Sequence, residues 1–293
     1  MRKLGYRYQQ TLAQPAVVTG VGYLSGVPTR LCFQPAPPHS GIEFTRTDLP
    51  GQPRIAARVD QVSGTQRRTT LGQPPAQIEM VEHVLAALAG LRIDNCRVEL
   101  DAPEPPSLDG SALEFTEKLL QAGIVAQSAR RAIWTVDQPV ILRRPGATIA
   151  FHPNQLDQLR ITYILDYGWQ APIAPQRYTQ VITPAQFTEH LACCRTFLLR
   201  EEALALRQQG IGAHATTSDL LVFGPHGPID NVLRYADEPA RHKVLDIVGD
   251  LSLFGQDLRG HVVAYRSGHP LNVELARTLW QGIEQRKPHP VAA

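Results

Sequence analysis

The sequence predicts an α+β protein of two domains with repeated topology, each a small sheet packed on helices. Three observations support this prediction. In the first half, short β-branched or alternating segments precede residues at helical spacing. The second half follows the same plan. Each half ends in helix, strand and helix, and the first of these helices carries a histidine near its N-terminal end, His83 or His242. We expect domains at 1–126 and 127–293.

The first half contains short segments separated by turns rich in glycine and proline. The predicted strands are 16–21, 29–33, 42–45, 55–59 and 96–100. Between the last two, apolar residues recur at helical spacing from Ile78 to Leu91, which predicts a helix that ends near Gly90. Ser111, with Glu114 three residues later, predicts the N-cap of a second helix that reaches about residue 121.

The second half has the same kinds of segment in a similar order. The predicted strands are 133–142, 148–151, 161–165, 220–223 and 261–265. The predicted helices are 184–193, 199–209, 239–254 and 270–285. The helix at 239–254 has an apolar stripe that includes Val244, Leu245 and Val248, so one of its faces should be buried.

Composition restricts the classes of function. With 43% hydrophobic and 19% charged residues the chain is typical of a globular protein, and a net charge of +2 predicts no nucleic-acid partner. No apolar run reaches the length of a membrane span, and none follows the charged N-terminus as in a signal peptide. Cys193 and Cys194 are adjacent and cannot easily close a relaxed disulfide. We therefore expect reduced thiols and a cytoplasmic protein. We also expect a monomer.

One helix offers a candidate metal site. His242 and Asp246 are four residues apart, so their side chains lie on one helix face, and zinc accepts such nitrogen and oxygen ligands. A surface pair is the alternative. If the two halves are related by a pseudo-two-fold axis, His83 would join this pair at the domain interface. Two histidines and one carboxylate leave a position for water, as in catalytic zinc sites. Otherwise His83 packs within its own helix.

Two further groups fit a hydrolytic site. Glu82 points about 100° away from His83 around the helix, so it could act as a general base on a water whose pKa zinc lowers to about 7. His269 lies between a strand and a helix, where it could protonate a leaving amine, and Asp250 could keep its imidazole cationic. The alternatives are a surface carboxylate for Glu82 and an exposed loop histidine for His269.

Several motifs together carry a resemblance to one family. They are, in chain order, Val-Glu-His-Val-Leu-Ala-Ala-Leu-Ala-Gly-Leu at 81–91, Ile-Asp-Asn at 93–95, Pro-Glu-Pro at 103–105, Leu-Asp-Gly-Ser-Ala at 108–112, Arg-Thr-Phe at 195–197, His-Lys-x-Leu-Asp-x-x-Gly-Asp-Leu at 242–251 and Ser-Gly-His-x-Leu-Asn at 267–272. This set, which spans about 10–279, resembles the signature of UDP-3-O-acyl-N-acetylglucosamine deacetylases, zinc enzymes of lipid A synthesis.

The resemblance implies two α+β domains with the active site between them. It implies a Zn²⁺ cofactor, a UDP-linked acylated amino sugar as substrate, and hydrolysis of the acetamide with release of acetate. The implied roles are zinc ligands at His83, His242 and Asp246, a general base at Glu82, a positively charged acid at His269 supported by Asp250, an oxyanion donor at Thr196, substrate contacts at Lys243 and a nucleotide neighbour at Tyr167. The resemblance also implies an inserted element near 195–225 that contains Phe197 and forms an acyl-chain passage.

The chain departs from the family pattern at four places. Leu24 replaces a usual histidine, Met80 a small hydroxyl residue, and Leu198 a glycine, while the stretch 213–219 differs from the expected one. None of these changes removes an implied ligand or catalytic group. They leave two alternatives open, a divergent zinc deacetylase of another N-acetyl amino-sugar conjugate and a catalytically silent binding homologue.

Overall fold

The structure is a computed structural model that describes residues 1–154 and 157–285. In these ranges the strands are β1 (Arg2–Leu12), β2 (Ala16–Val21), β3 (Pro28–Pro35), β4 (Ile42–Arg46), β5 (Arg54–Ala56), β6 (Val62–Gly64), β7 (Thr70–Leu71), β8 (Cys96–Leu100), β9 (Ile124–Thr135), β10 (Val140–Arg144), β11 (Ala147–His152), β12 (Leu159–Leu165), β13 (Gln176–Val181), β14 (Phe197–Leu199), β15 (Leu221–Gly224), β16 (Gly227–Pro228), β17 (Asp257–Leu258) and β18 (Gly260–Tyr265). The helices are α1 (Glu82–Gly90), α2 (Leu113–Gln121), α3 (Pro184–His190), α4 (Arg200–Gln208), α5 (Glu238–Ser252) and α6 (His269–Glu284).

Two five-stranded sheets have the same topology. The first has the order β2-β3-β8-β4-β5 and the second β10-β11-β18-β12-β13. Each contains one parallel pair, β4 with β8 and β12 with β18, and its other pairs are antiparallel. In each unit a helix, α1 or α5, precedes the strand that completes the sheet, and a second helix, α2 or α6, follows it. The predicted α+β fold with a repeated topology is confirmed.

The helices α1 and α5 pack against each other at the junction of the two units. Leu85 and Leu88 of α1 and Val244 and Leu245 of α5 are each at most 1% exposed, and burying such a side chain stabilises the fold by about 1.5–3 kcal/mol. Gly249 of α5 allows the close approach, because a Cβ atom there would lie 2.2 Å from the carbonyl oxygen of Glu82. The first residue of α1 therefore lies directly against α5.

A third sheet, of order β1-β9-β17, joins the units on another side. Arg7 of β1 donates to Asp94, which precedes β8, and to Asp257 of β17. Arg131 of β9 donates to the same Asp257. Charges from both units thus form one half-buried cluster. The predicted domain boundary at 126 falls within β9 and stays a prediction.

The second unit carries a long segment between its fourth sheet strand, β13, and α5. This segment contains α3, α4 and a small sheet of order β14-β15-β16. The corresponding interval of the first unit, between β5 and α1, holds a 3-10 turn at Val59–Gln61 and the pair β6 and β7. The predicted element near 195–225 lies within the longer segment, and its role in an acyl passage stays a prediction. Among the helices of residues 1–154 and 157–285, none is long and apolar enough to cross a membrane.

Several predicted boundaries in the first half were wrong. The helix expected from Ile78 begins at Glu82, because Ile78 forms a bridge with Leu71 and Met80 has a φ of 58°. The strand predicted at 55–59 ends at Ala56. The helix after Ser111 has Ala112 as its N-cap residue, and the Ser111 hydroxyl accepts a hydrogen bond from the Leu113 amide.

Two boundaries in the second half were also wrong. The strand predicted at 133–142 is two strands, since β9 ends at Thr135 and β10 begins at Val140. Pro139 lacks an amide proton for the ladder and lies between them. The helix predicted to reach 193 ends at His190. The strands β1 and β13 were not predicted, since their sequences alternate charged and polar residues with few apolar ones.

Candidate functional site

The N-terminal turn of α1 and the middle of α5 bring three potential metal ligands together. His83 is the second residue of α1, and His242 and Asp246 lie one turn apart on α5. The positive φ of Met80 turns the chain immediately before α1, so that Glu82 and His83 begin the helix facing α5. His83, His242 and Asp246 are 8%, 1% and 3% exposed, which shows that these polar groups are held away from bulk water.

The donor atoms of these residues converge. Asp246 Oδ1 lies 3.3 Å from His242 Nε2 and 3.7 Å from His83 Nε2. One ligand atom from each residue lies within 4.8 Å of the other two, and the imidazole rings are nearly perpendicular at a centroid distance of 5.0 Å. Two imidazole nitrogens and a carboxylate oxygen aimed at one point form a donor set suited to zinc.

Hydrogen bonds outside this group orient its members. His242 Nδ1 donates to the carbonyl oxygen of Cys194 at 3.0 Å, because a carbonyl can only accept. The Nε2 atom of His242 is therefore left with a free lone pair, as a metal ligand requires. Lys243 Nζ donates to Asp246 Oδ2 at 2.9 Å and occupies that side of the carboxylate.

The other carboxylate oxygen of Asp246, Oδ1, is suited to binding a cation. Among the described residues, Asp246 Oδ1 is one of the few buried side-chain oxygens without a hydrogen-bond partner. A buried carboxylate oxygen without a partner is costly, and a bound metal ion would satisfy it.

The pKa values of two of these residues are also shifted. Burial favours a raised pKa for Asp246, but His242 and Lys243 outweigh the effect of burial and hold the pKa well below its usual value. Burial lowers the pKa of His242. Both shifts favour the deprotonated forms that bind metals.

Glu82 and His269 face each other beside the three ligands. Glu82 Oε1 lies 3.9 Å from His269 Nε2, and Glu82 Oε2 accepts a hydrogen bond from the Thr69 amide at 3.1 Å. Burial raises the pKa of Glu82, while the charges of His269 and His83 oppose the rise. A carboxylate with a raised pKa is better matched to accepting a proton near neutral pH than an exposed one.

Asp250 holds the other side of the His269 ring. Asp250 Oδ2 lies 2.8 Å from His269 Nδ1 and accepts from Asn272 Nδ2 at 2.9 Å, while Oδ1 accepts from the Thr69 hydroxyl at 2.6 Å. Burial alone lowers the pKa of His269, but the charge and hydrogen bond of Asp250, with Glu82, raise it to about 10. His269 is therefore a cation at neutral pH.

Thr69 is a site residue that the sequence reasoning missed. It is fully buried just before β7, its amide contacts Glu82, and its hydroxyl contacts Asp250 and lies 3.3 Å from His269 Nδ1. It thus links the candidate base to the candidate acid. Residue 69 lies in a short irregular hairpin with no periodic pattern, so no sequence signal marked it. Asn272 lies within the motif at 267–272, and its spacing of three from His269 is the signal that could have found it.

The other predicted residues surround this centre. Thr196 and His83 line the same small cavity, and the Thr196 amide donates to the Gly110 carbonyl at 2.8 Å. The ring of Phe197 lies 6.4 Å from that of His242, and the half-exposed Tyr167 lies 6.1 Å beyond Phe197. Lys243 Nζ lies 5.4 Å above the Phe197 ring. All ten predicted residues occur in one region, although their individual roles stay predictions.

The departures from the family pattern lie near the same region. Met80 lines the small cavity with His83. The amide of Leu24 donates to the buried carboxylate of Glu104, which holds the turn at 22–26. His214, from the stretch 213–219, contacts the carbonyl oxygen of Gly22 in this turn at 2.9 Å. Two of the departures therefore meet at one contact between the units. Leu198 lies in β14.

The chain is similar in sequence to one family of known proteins. The sequence profile of the family described as "LpxC: UDP-3-O-acyl N-acetylglycosamine deacetylase" matches residues 9–281. The chain is 39% identical over 276 residues to the UDP-3-O-acyl-N-acetylglucosamine deacetylase of Trichormus variabilis, covering 92% of this chain and 98% of that protein. It is 40% identical over 273 residues to the protein of the same name from Thermosynechococcus vestitus, covering 93% and 94%. It is 36% identical to the "Bifunctional enzyme LpxC/FabZ" of Chlorobaculum tepidum, covering 96% of this chain and 66% of that protein.

Proposed function

This chain belongs to the UDP-3-O-acyl N-acetylglycosamine deacetylase family, and on that premise we propose that it hydrolyses the acetamide of UDP-3-O-acyl-N-acetylglucosamine. The products are acetate and the free amine of the acylated UDP-sugar, in the synthesis of lipid A. The observation that carries the proposal is the convergence of His83, His242 and the unpartnered oxygen of Asp246 beside the pair Glu82 and His269.

The resident cofactor is proposed to be Zn²⁺, held by His83, His242 and Asp246. The donor set suits zinc, and the unpartnered Asp246 Oδ1 marks where a cation is expected. When bound there, zinc lowers the pKa of water toward about 7 and polarises a carbonyl group as a Lewis acid. The Cys194 carbonyl and Lys243 fix the orientation of His242 and Asp246 before the metal arrives.

Glu82 is proposed to accept the proton of the attacking water. Its carboxylate is on the residue next to a ligand, is 3% exposed, and is oriented by the Thr69 amide. As the water oxygen attacks the acetamide carbon, Glu82 takes up one proton and faces the cationic His269 across 3.9 Å. General base catalysis of this kind contributes roughly 10²–10⁴-fold to turnover.

His269 and Thr196 are proposed to act on the tetrahedral oxyanion and the leaving amine. His269 carries a positive charge at neutral pH, since Asp250 raises its pKa, so it can stabilise the oxyanion and then donate its Nε2 proton to the amine. Thr196, beside His83, supplies a hydroxyl donor. Lys243 and Tyr167 are proposed to contact the polar parts of the substrate, and Phe197 the acyl chain.

The test of this function is acetate release from UDP-3-O-acyl-N-acetylglucosamine, with and without a chelator. We expect acetate release by the metal-loaded protein, loss of release after chelation, and recovery when Zn²⁺ is added back.

His269→Ala should lower turnover by roughly 10²–10³-fold while its zinc content stays normal. His261→Ala, a histidine of β18 bonded to Thr162, is the matched control. Loss of zinc from the His269 variant would mean that His269 is a ligand and would contradict its role as acid.

A divergent substrate is the second candidate, favoured by the contact between His214 and the turn that carries Leu24. Comparing turnover of the acylated and non-acylated UDP-sugar distinguishes the two, because an enzyme without an acyl site gains nothing from the acyl chain. A silent binding homologue would bind zinc and release no acetate. A monomer in the cytoplasm that binds no nucleic acid remains the expected state of the protein.

A further inference from the structure

Two adjacent thiols lie next to the proposed metal centre and have no part in the mechanism above. Cys193 and Cys194 follow α3 and precede Thr196. Cys193 is half-buried and Cys194 is buried. The Cys194 thiol donates to the His190 carbonyl at 3.3 Å. The pair therefore combines one accessible sulfur with one shielded neighbour.

The four cysteines differ in their tendency to ionise. The neighbouring Cys194 side chain, with Tyr235 and the positive charge of Arg234, lowers the pKa of Cys193 to about 6 against the effect of burial. Burial raises the pKa of Cys32, and it raises that of Cys96 to about 12. The thiolate is the form that attacks an oxidant, so Cys193 should react before Cys32 and Cys96.

The backbone of this pair is fixed to groups that matter for the site. The Cys194 carbonyl accepts the His242 Nδ1 proton at 3.0 Å, and the Cys193 carbonyl accepts from Arg234 Nη1 at 2.6 Å. The next residue, Arg195, is bonded to the buried Glu238 at the start of α5 through its amide and its guanidinium. A rotation of the peptide after Cys194 would therefore change the partner that orients His242.

Closing a disulfide between Cys193 and Cys194 distorts the peptide between them, and this peptide shares the Cα atom of Cys194 with the next one. Consecutive Cα atoms are about 3.8 Å apart, whereas disulfides usually join Cα atoms about 4.4–6.8 Å apart. The bridge can form only if the peptide between the two cysteines distorts, and strained disulfides of this kind are readily reduced again. Because this distortion changes the backbone angles at Cys194, we expect it to move the Cys194 carbonyl, which belongs to the next peptide, away from His242.

We propose that Cys193 and Cys194 are a peroxide-sensitive dithiol whose oxidation weakens metal binding by moving the carbonyl group that orients His242. The Cys193 thiolate attacks a peroxide oxygen, the O–O bond breaks, and a sulfenic acid forms while an alcohol or water leaves. The Cys194 sulfur then attacks the Cys193 sulfur, and hydroxide leaves as water with the thiol proton. Two thiols thus supply the two electrons that reduce one peroxide. The effect on the metal rests on the proposed function, whereas the thiol chemistry does not.

The first measurement concerns the thiols alone. The reduced, zinc-loaded protein is treated with hydrogen peroxide, and the peptide containing 193 and 194 is analysed by mass spectrometry. We expect the loss of two hydrogen masses, reversed by a thiol reductant, with Cys32 and Cys96 unchanged. Cys193→Ser should show no such loss, and Cys32→Ser, the matched control, should behave as the parent chain. Stable addition of oxygen to Cys193 without a disulfide would overturn the proposal.

The second measurement concerns the metal. Zinc affinity is determined by competition with a chromophoric chelator before oxidation, after oxidation and after reduction. Loss of an orienting partner typically costs roughly 10–100-fold in metal affinity, and we expect a loss of that size only in the oxidised chain. Unchanged affinity in the disulfide form would overturn the coupling. A reduced chain that binds no zinc would instead contradict the proposed metal site while leaving the mass result standing.

Discussion

The two units of this protein share one architecture but contribute differently to the site. Both sheets have the same strand order with one parallel pair, and α1 and α5 occupy equivalent places in them. From α1 come Glu82 and His83, both in its first turn. From α5 come His242, Asp246 and Asp250, spread over more than two turns. The repeated fold therefore brings two equivalent helices into contact. The chemistry of the site depends on which polar side chains each helix carries at that contact.

The difference follows from how each helix is buried. After its first two residues α1 is entirely apolar, and every position but Ala89 is buried, so only its N-terminal end has polar groups to offer. The longer α5 also buries acidic groups, Asp246 against Lys243 and Asp250 against His269. Since a buried charge is tolerated only when paired, the second unit must supply most of the partners. The following predictions test this division between the units.

The largest effect should come from removing the metal ligand proposed for the first unit. His83→Ala leaves His242 and Asp246 without the third donor. Loss of a residue that only orients a ligand typically lowers metal affinity by roughly 10–100-fold, so loss of a ligand itself should lower zinc affinity by more than that. Turnover should fall with the metal content. Zinc content after dialysis, compared with that of His261→Ala, measures this. Stoichiometric zinc in the His83 variant would show that the first unit provides no ligand.

Glu82→Gln removes the base proposed for the first unit and keeps the shape of the side chain. Turnover should fall by roughly 10²–10⁴-fold, because the amide cannot accept the proton, while the Thr69 amide still has an oxygen to bond. Acetate release by protein loaded with equal zinc is the measurement. Near-normal turnover would show that another group accepts the proton. A loss of zinc in the variant would show that Glu82 contributes to metal binding.

Gly249→Ala forces α1 and α5 apart. The added Cβ would lie 2.2 Å from the Glu82 carbonyl oxygen, and overpacking of this kind costs about 1–3 kcal/mol in the free energy of unfolding. Gly5→Ala is the matched control, since no atom lies within 4 Å of a Cβ there. Chemical denaturation of both variants gives the difference. Equal stability would show that the two units do not depend on this contact.

The smallest expected change is a shift in the pH profile when Asp250 loses its charge. Burial lowers the pKa of His269, but Asp250 and Glu82 raise it to about 10, so the acid form persists below that pH and is lost above it. The stabilisation from this cation is complete below its unfolded pKa of about 6.5 and disappears as the pH rises through about 10.

In Asp250→Asn the pKa of His269 should fall, which moves the basic limb of turnover to lower pH. If Glu82 is the proposed base, the acidic limb reports its pKa, which burial raises, and this limb should move less. Turnover of the zinc-loaded variant across the pH range is the measurement. A basic limb that stays at the same pH would show that His269 is not the group whose deprotonation causes it.

The sequence predicted the parts of this structure that local patterns determine. Apolar spacing located α5, and the histidine of each unit's helix predicted the meeting of His83 with His242. The role of Thr69 could not be predicted from the sequence, because it depends on contacts with Glu82 and Asp250, which are 13 and 181 positions away along the chain. The early start assigned to α1 failed for a similar reason. The apolar residue Ile78 fits the helical spacing but pairs with Leu71, and only the backbone of Met80 shows where the helix begins.

The most direct test of a metal held between the two units is X-ray absorption spectroscopy of the zinc-loaded chain and of His83→Ala. The parent chain should show one zinc coordinated by two imidazole nitrogens and by oxygen atoms, and one imidazole contribution should disappear in the variant. An unchanged spectrum in the variant, or a parent spectrum without imidazole, would contradict the account.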